Sequence, residues 1–193
     1  MPKLATPYIL RSLTVENFLH IAAVWLHVLG IALFVGPQFF LAIAWVPASR
    51  AIEHLPTRVA AMRTITTRFG WIGGAGLLLI LIGGSYLIAT WRDYHGIPES
   101  VSFMDYRYGV IFVIKMAVLA VMIVLVGLHM FVVGPSQVDA MEERARGEDV
   151  PEVRLRRIRI TSMVLSITGL VLTLVIMGFG VSLGAAEYSI QKF

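Results

Sequence analysis

The sequence predicts an all-α membrane protein, a bundle of four transmembrane helices, on three observations. Hydrophobic residues make up 58% of the chain and charged residues 15%, and the mean hydropathy is +0.80; that composition suits lipid rather than water. The apolar residues gather into four runs, each long enough for the ~20 residues that cross a bilayer as a helix. The charged residues gather between the runs. With four spans placed, the 193 residues leave no room for a separate soluble domain, so 1–193 is expected to be one domain.

The chain has no cysteine, which excludes disulfides, thiolate metal sites and iron–sulfur clusters. The net charge of +4 does not point to a nucleic-acid partner, because the arginines sit beside the apolar runs, where membrane orientation explains them. Residues 1–17 form a mixed lead-in in which Pro7, Tyr8 and Arg11 suit the membrane interface. They contain no small-x-small cleavage site, and the first apolar run is too long for a signal peptide, so it is expected to be a retained helix.

The first helix is expected over about 18–46 and contains HIAAVWLHVLGIALFVGPQ, without Lys, Arg, Asp or Glu. At about 100° per residue, His20, His27 and Gln38 fall within roughly 20° of one line. Polar groups in lipid are costly, so this line should face protein, cofactor or water. Pro37 predicts a kink near Leu33 to Gly36. Residues 48–68 are expected as a loop holding Arg50, Arg58, Arg63 and Arg68 against Glu53, with a short interfacial helix after Pro56.

The second helix is expected over about 69–90. Its glycines, Gly70, Gly73, Gly74, Gly76, Gly83 and Gly84, permit close approach of a neighbouring helix or of a flat cofactor. Residues 91–107 form an aromatic-rich loop. Trp91, Tyr94, Tyr106 and the adjoining Tyr108 suit an interface belt, while His54 and His95 are expected to be solvated loop residues.

The third helix, about 108–133, carries Tyr108, Lys115, Met122 and His129 every seventh residue, a spacing that drifts only ~20° per step and keeps them on one face. Residues 134–159 are the most charged segment and end in Arg154, Arg156, Arg157 and Arg159. The fourth helix, about 160–184, has Ser162, Ser166, Thr168, Thr173 and Met177 but no charge. Four crossings put both termini on one side. The two Arg-rich loops belong in the cytoplasm, so both termini are expected outside, in a bacterial inner (cytoplasmic) membrane. No internal repeat is evident.

Seven residues at ~1.5 Å each place His27 about 10 Å deeper than His20. Lys115 enters to a depth near His27, and His129 lies about 21 Å beyond Lys115. Two sites follow: an outer one of His20, His27 and Lys115 with Met177, and an inner one of His129 with Gln38 or His54. Imidazole ligates haem iron and copper, so His20, His27, His129 and Met177 are metal-ligand candidates. Lys115 is a candidate partner for a haem propionate or substrate carboxylate. The plainer alternatives are helix–helix hydrogen bonding for the histidines, snorkelling for Lys115 and gap filling for the methionines. Nothing reads as a hydrolase, and no strand precedes the glycine-rich helix, so it is not a dinucleotide motif.

Four pieces carry a family resemblance: HIAAVWLHVLGIALFVG, RFGWIGGAGLLLILIGGSYL, YRYGVIFVIKMAVLAVMIVLVGLH and LRRIRITSMVLSITGLVLTLV. Together the chain resembles the copper resistance protein D (CopD) family, most specifically in the Tyr-Gly pair ahead of Lys115. More distantly it resembles the HemJ-type protoporphyrinogen oxidases, whose pattern His20, Trp25, Lys115 and His129 would match. The resemblance implies a four-helix membrane core concerned with haem or copper. The leading expectation is a haem b-binding electron-transfer protein, a redox carrier rather than a stand-alone enzyme. A copper transport or resistance protein, a porphyrinogen oxidase and a structural subunit of a membrane redox complex are the alternatives. The expected partners are membrane lipid, a redox partner or larger complex, and further copies of the chain.

Overall fold

The computed structural model describes residues 15–192, the side chain of Glu16 apart. The interfacial placement expected of Pro7, Tyr8 and Arg11 lies outside the described residues. Helix α1 (Val15–Phe40) runs through a π-turn (Leu41–Trp45) into α2 (Val46–Arg50). Helix α3 (Leu55–Ala89) is followed by α4 (Trp91–His95) and a 3-10 turn (Phe103–Asp105). Helix α5 (Arg107–Leu128) runs through a second π-turn (His129–Val133) into α6 (Gly134–Ala145), and α7 (Glu152–Gly184) precedes the short α8 (Ala186–Ser189). Among the described residues the β pairing is an isolated bridge between Tyr106 and Lys192. The fold is all-α.

Among the described residues, four helical runs are long and apolar enough to cross a membrane: Asn17–Arg50, Leu55–Ala89, Arg107–Ala145 and Glu152–Gly184. Large apolar side chains such as Trp25, Trp71, Phe131 and Val181 lie exposed along them, as lipid contact requires. The runs are 34, 35, 39 and 33 residues long. At ~1.5 Å per residue each exceeds the ~30 Å hydrocarbon core by about 20 Å or more. The expected loops 48–68 and 134–159 are therefore mostly helix, with turns only at 51–54 and 146–151. Hydropathy marks where lipid ends, whereas a helix rich in Arg, Glu and Ala continues into water. Gly147, at φ 82°, ends α6 in the left-handed conformation; its amide reaches Arg144 O and the next amide reaches Glu143 O, a Schellman closure.

Both π-turns have the same cause. The Val46 amide donates to Leu41 O and the Gly134 amide to His129 O, one residue wider than an α-turn. Pro47 and Pro135 follow directly. Proline lacks an N–H and crowds the carbonyl four residues back, and the widened turn makes room for its ring. Pro37 is taken up inside α1, so the break in helical register falls ahead of Pro47, later than the Pro37 pattern indicates. Pro47 also stands as far past His27 as Pro135 stands past Lys115, a shared register that the apolar pattern hides.

The chain divides into two units: 15–37 with 71–99, and 38–70 with 100–192. In the first, α1 and α3 approach through glycine. A Cβ on Gly30 would lie 2.6 Å from Gly76 O, and one on Gly76 would lie 2.8 Å from Gly30 O. Further along, a Cβ on Gly83 would lie 2.6 Å from Ala23 O. These glycines serve helix contact, the first of the two roles expected for them.

In the second unit α5 packs on α7, burying Leu119, Met122, Gly169 and Thr173; the Thr173 hydroxyl donates to Gly169 O at 2.8 Å. Ion pairs hold the helical extensions together. Arg63 donates to Glu142 at 2.6 Å and Asp139 at 2.8 Å, Arg154 pairs with Glu143 and Arg144 with Glu152. The tail folds back: the Arg107 amide donates to Gln191 O, and the Arg107 and Lys192 cations lie over Tyr188 and Tyr106. Tyr106 and Trp91 are only 7% and 3% exposed. They are packed within their own units, which corrects the expected belt of four aromatics.

Candidate functional site

His27 lies in the α1–α3 contact of the first unit. Its Nδ1 is 2.9 Å from the Ile80 carbonyl oxygen. A carbonyl only accepts, so Nδ1 carries the hydrogen and the lone pair belongs to Nε2. Glycine builds the seat: a Cβ on Gly84 would lie 3.2 Å from His27 Cε1 and 3.3 Å from Nδ1, and one on Gly83 would lie 2.9 Å from the His27 amide. The polar residue expected to face inward does face protein.

His20 is also turned toward its own unit. Its ring stacks on Tyr94 with centroids 3.8 Å apart and planes 3° apart. Its Nδ1 is buried and has no hydrogen-bond partner among the described residues. Tyr94 meets His95 edge-on at 5.1 Å, and Trp91 meets His95 at 6.2 Å. Gly96, at φ 63°, caps α4 so that its residues fold back in this cluster. Burial pushes the His95 imidazole below its usual pKa, and the neighbouring His20 charge adds to the shift. His95 is therefore half-buried against Tyr94 and Trp91, not solvated. The signal that could have found it is the WRDYHG sequence, a short helix closed by glycine. His54 is exposed as expected and contacts Thr57 Oγ1 at 2.7 Å.

Lys115 is half-buried in the second unit. Its Nζ points to Gly180, where a Cβ would sit 3.7 Å from it, and it makes no ion pair among the described residues. His129 opens the second π-turn. Its Nε2 lies 3.3 Å from Ser166 Oγ, and its Nδ1 is buried without a hydrogen-bond partner among the described residues. Met122 is in the core, while Met177 lies on the exposed face. Among the described residues, no three His, Cys, Asp or Glu side chains gather to hold a metal ion. The arrangement therefore supplies single imidazoles, set by second partners, rather than a closed metal cage.

No family model, curated protein or solved structure matches this chain.

Proposed function

We propose that the chain is an integral membrane haem b-binding protein that carries electrons, with His27 as the axial ligand. The observation that carries this reading is the hydrogen bond from His27 Nδ1 to Ile80 O. Metal-ligating histidines generally donate their other N–H to a carbonyl or carboxylate, which fixes the ring and raises its basicity. The donor set fits haem: a neutral imidazole with its lone pair on Nε2, in an apolar helix pair. Haem, when bound, supplies a one-electron couple. The chain's part is to hold Nε2 in place, orient the ring and exclude water. Lys115 is read as the cation for an anionic group in the second unit, and His129 as a further ligand candidate there.

The copper alternative is less favoured. It needs the methionines to line a path, and Met122 is core while Met177 faces outward. We retain the CopD-like family reading, the bacterial cytoplasmic membrane and the orientation with both termini outside.

The test is a reduced-minus-oxidised spectrum of the purified full chain after haem-sufficient expression. The expected result is a Soret and an alpha band, lost in His27→Ala and kept in His54→Ala. No bands in the wild type, or unchanged bands in His27→Ala, would overturn the reading.

A further inference from the structure

The hairpin of α6 and α7 in the second unit encloses a shallow groove lined by Gln137, Ala140, Met141, Leu155, Ile158 and Arg159. Its acids are already committed on α6: Asp139 and Glu142 to Arg63, and Glu143 to Arg154. Arg156 and Arg159 are exposed and make no ion pair among the described residues. On α7, Leu155 is buried and marks the inward face. Arg159 lies about 40° from it, and Arg156 about 60° further round on the same side. Side chains three apart on a helix are neighbours, so two guanidiniums stand together where like charges repel. Arg157 lies about 160° from Arg159, on the opposite face.

The surface changes character just beyond this pair. Met163 and Ile167, on the same side of α7, are exposed at 54% and 56%. They follow Arg159 by about 6 Å and 12 Å along the helix axis. We propose that Arg156 and Arg159, with the Gln137 amide, bind the phosphate of an anionic phospholipid, whose acyl chain lies along Met163 and Ile167. Guanidinium matches phosphate oxygens with paired N–H donors. An anion between the two arginines relieves their repulsion, and basic pockets between membrane helices suit acidic headgroups. Lipid is the occupant that meets both features, since a free phosphate has nothing to set on the apolar strip. The site lies in the second unit and does not rest on the haem reading.

The test uses the full chain, stripped of phospholipid in an uncharged detergent. It is titrated separately with dioleoyl phosphatidylglycerol and dioleoyl phosphatidylcholine, and bound lipid is counted by native mass spectrometry. The wild type should take its first phosphatidylglycerol more tightly than phosphatidylcholine. Arg156→Gln and Arg159→Gln should each weaken that first binding by about fivefold. Arg157→Gln, which removes the same charge from the opposite face, should leave it unchanged. Sodium phosphate at the lipid's concentration should not displace the lipid. Equal loss in Arg157→Gln and Arg159→Gln would mean a diffuse charge effect, and displacement by phosphate would mean an anion site without lipid; either overturns the proposal. So would equal wild-type affinity for the two lipids, a result that needs no variant to fold.

Discussion

The Nδ1 of His27 and the carbonyl oxygen of Ile80, 2.9 Å apart, join the first two membrane-spanning helices at a polar contact inside an apolar pair. Two adjacent glycines guard it in different ways. At Gly83 an added Cβ meets backbone, Ala23 O at 2.6 Å, whereas at Gly84 it meets the His27 ring at 3.2 Å. Backbone cannot step aside without separating the helices, but a ring can tilt. Gly83→Ala is therefore expected to lower stability by about 1–3 kcal/mol, the usual cost of overpacking. Gly84→Ala should stay within about 1 kcal/mol of wild type, because alanine's helix preference offsets the crowding. Thermal unfolding in detergent separates the two. Nitrogen chemical shifts of His27 should move in Gly84→Ala while the melting curve does not; equal destabilisation by both would contradict the packing.

Pro135 gives a second prediction. In Pro135→Ala the new amide can donate to Phe131 O, and the π-turn can close to an α-turn. Losing one residue from the turn swings His129 by about 100°, away from Ser166, which it now meets at 3.3 Å. With no native cysteine, a His129→Cys, Ser166→Cys pair can be bridged by a short bismethanethiosulfonate linker. Bridging should be fast with Pro135 present and slow with Ala; equal rates would mean that Pro135 does not hold the turn open.

These particulars mark how far the sequence could be read. The spans were legible because lipid imposes an apolar run, and His27 because a polar residue within such a run must face protein. The helical extensions were not, since Arg63, Asp139 and Glu142 carry no apolar signal and find each other only after the chain folds. His95 escaped for the same reason: its burial depends on α4 meeting α1, a contact remote in sequence. The π-turns were half legible, as prolines without a visible place for the strain.

The Arg63 fork to Asp139 and Glu142 should matter less than its short distances imply. Its members are largely exposed, and exposed pairs are screened and cost side-chain freedom. Arg63→Gln is expected to shift the melting temperature slightly at low salt and not at all at high salt. A large shift that persists in high salt would show that the extensions, not the spans, set stability.

Orientation supplies the last prediction. The 51–54 and 146–151 turns are flanked by Arg50, Arg58, Arg63, Arg68, Arg144, Arg146, Arg154, Arg156, Arg157 and Arg159. The segments at the opposite ends of the described spans carry fewer bases, Arg92, Arg107 and Lys192. Acids neutralise Arg63, Arg144, Arg146 and Arg154 in ion pairs, but the positive-inside bias counts Lys and Arg and gives acids little weight. The turns should therefore face the cytoplasm. The cysteine-free chain allows a direct check with Asp149→Cys in one turn and Glu99→Cys in the segment after α4. An impermeant thiol reagent should label Cys at 99 in intact spheroplasts and Cys at 149 only after permeabilisation. The reverse pattern would turn the chain over.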